Sequence, residues 1–256
     1  MKPLLAFIKK EFLETARTGK LIFLILLFVL FGIMNPAIAK LTPWMMEMFS
    51  DTIADSGLIV TNIQVNALTS WAQFFKNIPI VLIAFVLIYS DIFTKEYRSG
   101  TLILVLTKGL SRYKVVFAKT LLLLLLWTFG YGLCFGITYS YNAYFWDNGI
   151  ANNLFSSIAI WWLFGVWVIC LIILFSSLLQ NYTGVTLCTG GTVLLSYLLG
   201  LIPKVKMYSP TILMETYSLL IGAESMDTYI KAIIIAVILS IICIAVSVPV
   251  MNKKQL

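Results

Sequence analysis

From Thr120 to Trp146, and again from Asn148 to Pro203, the chain contains no Asp, Glu, Lys or Arg. Shorter runs of the same kind cover Leu21 to Ala39, Asn77 to Ser90 and Ala232 to Asn252. A helix needs about 20 apolar residues to cross the hydrocarbon layer of a bilayer. The runs therefore divide into six spans, expected at 21–39, 71–90, 119–141, 155–179, 185–202 and 230–250. The longest run holds two of them, separated at "SSLLQNYTG", residues 176–184, a polar, Gly-ended stretch that reads as a tight hairpin. Continuous rather than alternating hydrophobicity selects helices over a barrel. With 61% hydrophobic and 11% charged residues, the expected fold class is an all-α integral membrane protein. The expected organisation is a single transmembrane domain over 1–256.

Charge orients the spans, because basic residues are retained on the cytoplasmic side. The leading segment, the 91–119 loop, the 176–184 turn and the C-terminal tail together carry 13 basic and 4 acidic residues. The alternate side, with loops 40–70, 142–154 and 203–229 and the helix ends beside them, carries 5 basic and 7 acidic residues. This predicts both termini in the cytoplasm of a bacterial-type plasma membrane. The net charge of +7 is accounted for by anionic lipid headgroups and a cytosolic partner, with no nucleic acid required.

Residues 1–20 read as an interfacial helix. Leu4, Leu5, Ile8, Phe12 and Ala16 share one face and Lys9, Lys10, Glu14 and Arg17 the other, while Phe7 and Leu13 fall off the stripe. The "PAIA" that follows the first apolar run resembles a signal-peptide cleavage site. The length of the leading segment and its Glu11 and Glu14 argue against that reading.

The residue inventory excludes several kinds of chemistry. Cys134, Cys170, Cys188 and Cys243 fall inside apolar runs without metal-ligand spacing and are expected to be packing residues. Histidine is absent, and no acid or base is expected deep in a span, so no catalytic or metal site is assigned. No P-loop is present either: "TGKL" at 18–21 lacks its first glycine and its hydroxyl. Any energy source must therefore be external.

The cytosolic loop is where an external motor would act. Its sequence, "FTKEYRSGTLILVLTKGLSRYKVVFAKTL", resembles the cytoplasmic loop of permease subunits of the ATP-binding-cassette type two exporter superfamily. The matching elements are Glu96, Gly100, Thr101, a short apolar helix at 102–106, Ser111, Arg112 and Lys119, with Gly109 where many relatives carry proline. The resemblance implies a coupling loop at 91–114. Lys95, Glu96, Tyr97, Arg98, Gly100, Thr101, Leu102 and Arg112 are its ATPase-coupling candidates, and Leu102, Leu104 and Leu106 form its apolar docking face. It also implies a second permease half, as homodimer or heterodimer, and two copies of a separate ATPase subunit that binds ATP and Mg. No cofactor and no enzyme activity are expected on this chain. The alternative is that Lys95 to Arg98 only anchors a span, in a non-transporting membrane scaffold or immunity-type protein.

Three further patterns bear on function. Asn66, Ser70, Gln73 and Asn77 lie on one face of span two, opposite Trp71, Phe75, Ile78, Leu82, Phe85 and Tyr89. The polar row is expected either to line a substrate path between spans two and five or to be a solvated extension. Gly184, Cys188, Thr192, Ser196 and Gly200 recur every fourth residue in span five, which predicts a helix-packing or dimer face. The outer insertion at 203–229 reads as a helix with Ser209 as N-cap, Pro210 at its first position and Gly222 past its end, lying on or dipping into the outer leaflet. Uncharged, aromatic-rich spans favour an amphipathic or hydrophobic substrate, such as a peptide or lipid-linked molecule, moved outward.

Overall fold

The computed structural model describes residues 2–48, 65–107 and 109–254. Among them are the α-helices α1 (Lys2–Arg17), α2 (Lys20–Met48), α3 (Ala67–Tyr89), α4 (Thr94–Ser99), α5 (Thr101–Thr107) and α6 (Arg112–Phe145). They are followed by α7 (Leu154–Leu178), α8 (Tyr182–Gly200), α9 (Pro203–Lys206), α10 (Tyr217–Leu220) and α11 (Asp227–Lys253). No strand occurs among the described residues. Six helices, α2, α3, α6, α7, α8 and α11, are long and apolar enough to cross a membrane and serve as spans one to six. The chain is thus an all-α, multi-pass membrane protein.

Several helices overrun their expected limits. Helix α6 has 34 residues, about 50 Å at 1.5 Å per residue, so its ends stand clear of a hydrocarbon layer of about 30 Å. Helix α2 contains Pro36 and continues past the expected end at Ala39, through Pro43, to Met48, and Ala37 and Ala39 of the "PAIA" stretch lie inside it. The middle of the expected loop 40–70, residues 49–64, lies outside the described residues. The 176–184 hairpin is tight, with α7 ending at Leu178 and α8 beginning at Tyr182.

The core is aromatic and centres on Trp127 of span three. Its ring packs on Phe28 of span one at 5.9 Å, Phe85 of span two at 5.7 Å and Trp161 of span four at 6.3 Å. Gly165 of span four makes room for it: a Cβ there would lie 2.3 Å from the indole. Span six turns a row of small residues, Ala232, Ala236, Ser240, Cys243 and Ser247, inward, chiefly against span four. Such rows let helix backbones approach closely.

Span one shows how a polar group is carried at membrane depth. Proline has no N–H, so Pro36 leaves the carbonyl of Gly32 without its helical partner. The hydroxyl of Thr138 in span three donates to that carbonyl at 3.1 Å. Asn35 donates to the Thr138 hydroxyl at 3.2 Å, and Asn77 of span two donates to the Asn35 side-chain oxygen at 2.8 Å. The chain of bonds joins spans one, two and three.

The insertion between spans five and six departs from expectation. It comprises α9, a 3-10 turn at Pro210–Met214 and α10 rather than one helix. Ser209 does cap Pro210–Met214, accepting from the Thr211 N–H, and Gly222 follows α10 with φ of +74°. Ile212, Leu213, Leu219 and Leu220 are buried, so the insertion plugs into the bundle instead of lying on it. Burial of these apolar side chains outweighs the regularity of a single helix.

Replacing Thr138 by valine should strand both the Gly32 carbonyl and the Asn35 amide. The expected loss is about 1 kcal/mol, the order found for interhelical hydrogen bonds in membranes. It is read as a lower thermal midpoint of the detergent-purified protein, restored by Thr138→Ser.

Candidate functional site

The segment between spans two and three is built as two short helices, α4 and α5, joined by Gly100 in the left-handed region at φ of +66°. A residue with a Cβ is strained there. Gly109, at φ of +86°, closes the far end before Ser111 caps α6 from extended backbone. The expected 102–106 helix is therefore present as Thr101–Thr107, and Thr94–Ser99 adds a second one.

Six charged side chains meet where α4 touches α1 and span three. Lys119 lies 2.7 Å from Glu11 and 3.1 Å from Glu96. Lys10 lies 2.8 Å from Glu11, 2.9 Å from Glu96 and 3.1 Å from Glu14, and Glu14 in turn is 2.8 Å from Lys95. Three ammoniums thus balance three carboxylates. The Lys119 side chain is 1% exposed and those of Glu11 and Glu96 are 6% exposed. The carboxylates of Glu11, Glu14 and Glu96 lie within 4.8 Å of one another, and the lysines neutralise them, so an incoming metal cation would have to displace an ammonium. A cavity of about 40 Å³ beside the cluster has room for about one to three waters. A second pair, Lys20 with Asp91 at 2.6 Å, ties the start of span one to the end of span two.

The pairing sets the ionisation of α1. Burial would raise the Glu11 carboxyl, but Lys119 and Lys10 overcome it and hold the group below its ordinary range. Lys95 is the main cause that lowers Glu14 to about 2. Burial opposes the charge on Lys10, yet its bonds to Glu11 and Glu96 raise it above its ordinary value.

This geometry corrects the expected posture of the leading helix. Phe7, Glu11 and Thr15, one turn apart, form the buried face of α1, and Lys10 and Glu14 join the ion cluster on that side. Leu5, Phe12 and Leu13 are exposed. The buried strip thus runs between the two expected faces, with Lys9 and Arg17 of the polar face left exposed and Leu4 and Ile8 of the apolar face packed against the core.

The other edge of the loop is tied to the C-terminal ends of two spans. Arg112 donates to the carbonyls of Met251, Asn252 and Lys254. Lys254 donates to the carbonyls of Ser177 at 2.9 Å and Leu179 at 3.2 Å. Helix C-termini leave such carbonyls unpaired and favour cations. Burial brings Lys254 down to about 8, and its ammonium sits 4.0 Å from the centre of the Tyr97 ring. The Tyr97 hydroxyl contacts the Met251 sulfur at 3.2 Å. Arg112 stood among the expected residues; Lys254 was missed, although a lysine just beyond an apolar run is the signal for a C-terminal cap.

The loop is consequently two-faced. Glu96 and Leu102 point inward and are buried, so Leu102 is not part of an open docking face, and Leu106 is half-buried. Arg98, Thr101, Ile103 and Leu104 are exposed, as are Tyr113 and Phe117 on the neighbouring turns of span three. Lys95 is exposed but engaged with Glu14.

The other expected site residues are dispersed. Asn66 caps span two by accepting from the Thr69 N–H, Ser70 is fully buried, Gln73 is half-buried, and Asn77 is committed to Asn35. None of the four lines the cleft between spans two and five. That cleft, about 360 Å³, is lined by Leu82, Val86, Thr189, Val193, Leu194 and Tyr197 among others. The stripe turns away because Asn77 is drawn to span one. The small row of span five also divides. Ser196 and Ser209 share a hydrogen bond at 3.1 Å, and Gly200 packs beside Thr211. Both thus serve the insertion between spans five and six, whereas Gly184 packs against Asn181 and Leu179. Thr192 bonds its own helix at the Cys188 carbonyl, and Cys188 is exposed while the other three cysteines are buried.

Removing one member of a buried ion cluster leaves the rest uncompensated, at a cost of about 3–5 kcal/mol. Lys119→Met should therefore lower the thermal midpoint sharply, and the double variant Lys119→Met with Glu11→Gln should recover part of the loss. Glu14 adds a pH dependence. Its carboxyl is depressed below the ordinary 4.5, so its contribution is complete above about pH 4.5 and is lost as pH falls toward about 2. Spin labels on α1 and α4, at Arg17→Cys and Arg98→Cys, should keep their separation at pH 4.5 and part near pH 2.

The chain matches the family model described as "ABC-2 family transporter protein" over residues 5–248. A search among curated proteins found no match.

Proposed function

The chain belongs to the ABC-2 transporter family as a membrane permease component, and we propose that it is one half of an exporter driven by a separate ATPase. The observation that carries this reading is the two-faced loop. Its outer face offers Ile103 and Leu104 beside Arg98, an apolar patch with a fixed charge suited to a groove in an ATPase. Its inner face is fastened to α1 and span three through Glu96, and to spans four and six through Tyr97, Arg112 and Lys254. A push on the outer face therefore reaches four helices through short polar contacts, of which the Glu96–Lys119 pair is buried. ATP and Mg belong on the partner, in two copies, and the cytoplasm holds that partner, both termini and the loop.

The substrate path on this reading is the cleft between spans two and five. Its lining is almost wholly apolar, with the buried hydroxyl of Thr189 lacking a partner among the described residues. It suits an amphipathic or hydrophobic substrate rather than a small ion. Span five buries only Val185 and Thr189 within the chain. Leu187, Leu194, Leu195 and Leu198 are exposed, and a second permease half covers part of that face.

The test uses the permease reconstituted with its ATPase in vesicles. Ile103→Glu with Leu104→Glu should abolish ATPase association, and Gly100→Pro, whose ring excludes a φ of +66°, should uncouple hydrolysis from transport. Wild-type association and transport in both variants would remove the coupling role of the loop, whereas an unmodified chain that neither binds the ATPase nor transports would leave the scaffold alternative. In intact cells, Asp227→Cys should react with an impermeant thiol reagent and Arg98→Cys should not; the reverse pattern would place the loop outside and end the reading.

A further inference from the structure

On the lipid-facing side of spans one and three, at the end remote from α1, lies a cleft of about 350 Å³ that the transport reading does not use. Ile33, Ala37 and Leu41 form one wall, one turn apart along α2, and Tyr141 and Phe145 of α6 form the other. The lining is almost entirely apolar and the volume falls in the range of about 300–1,000 Å³ usual for small-ligand sites. Lys40 stands at its mouth, the ammonium 3.8 Å from the centre of the Phe145 ring.

Two features say what fills it. The Lys40 ammonium lies on the Phe145 ring with no carboxylate beside it among the described residues, so at the mouth of an apolar cleft it is placed to take an anion. Around it stand exposed aromatic side chains, Trp44 one turn further along α2 and Tyr144 at 81% exposure. Aromatic rings of this kind settle at the headgroup level of a bilayer. An anion at headgroup level whose apolar part continues down a groove from Lys40 to Ile33, about 10 Å along the helix, is a phospholipid.

We propose that the cleft between spans one and three binds one anionic phospholipid of the leaflet remote from α1, its phosphate on Lys40 and one acyl chain between Ala37 and Tyr141. The Phe145 ring fixes the ammonium in place through a cation–π contact, and the chain fills space that neither helix covers. The bound lipid completes the packing of span one against span three.

Native mass spectrometry of the detergent-purified full chain tests this, after exchange with phosphatidylglycerol or phosphatidylcholine. One phosphatidylglycerol should be retained per chain and phosphatidylcholine about tenfold less. Lys40→Gln should lower phosphatidylglycerol retention about tenfold and Lys40→Arg should preserve it. Ala37→Phe, which fills the cleft and leaves the charge, should lower it comparably. Lys76→Gln, an exposed lysine away from the cleft, should have no effect. Equal retention of the two lipids, wild-type retention in Ala37→Phe or in Lys40→Gln, or displacement of the lipid by excess inorganic phosphate would each overturn the proposal. Loss in Lys40→Arg would overturn it too, provided the variant elutes as a monodisperse, helical protein.

Discussion

Burying Lys119 near the start of span three costs several kcal/mol in lost hydration. Glu11 and Glu96 offset that cost only if α1 and α4 both stand where they do. The position of the leading helix, the path of the loop and the register of span three are therefore one problem with one solution. Lys10, Glu14 and Lys95 extend the solution outward until the charges sum to zero. The buried centre of the cluster, Lys119 with Glu11 and Glu96, is weakly screened by salt, so its geometry persists at ionic strengths that would loosen the exposed pairs around it. This is the property that a mechanical connection needs, and it sits between the exposed face of the loop and the membrane-spanning helices.

At the remote end the governing constraint is different: a backbone carbonyl released by proline cannot be left to hydrocarbon. The Thr138 hydroxyl meets it, and the amides of Asn35 and Asn77 complete the chain. Between the two ends the bundle relies on shape, with Trp127 filling the junction of four spans and small side chains of span six admitting span four. Polar contacts thus fix the ends while packing fixes the middle.

Much of this was legible in the chain itself, because a bilayer translates directly into helix length. The six spans, the hairpin after Leu178 and the caps at Ser209 and Gly222 follow from apolar runs and local backbone chemistry. The face of span two that carries Trp71, Phe75, Ile78, Leu82, Phe85 and Tyr89 is buried, and so is Ser70 of the row opposite it. What was not legible depends on partners distant in sequence. Glu11 and Lys119 are 108 residues apart, and nothing in α1 says that Glu11 will find its partner within the protein. Rows of small residues occur in both span five and span six, but only neighbours decide which is packed; span six won because span four lies beside it. Asn77 looked available until Asn35, itself hidden in an apolar run, claimed it.

The bond from the Thr138 hydroxyl to the Gly32 carbonyl governs how the spans can move. A proline ordinarily gives a helix freedom to swing about the missing bond. Here the freed carbonyl is held from outside the helix, by span three, and the residue beside the proline is held by span two. A swing of the far third of span one alone would break that bond and bare the carbonyl to lipid. Spans one, two and three are therefore obliged to tilt together, as a single panel, and any opening of the bundle must occur along that panel's edges.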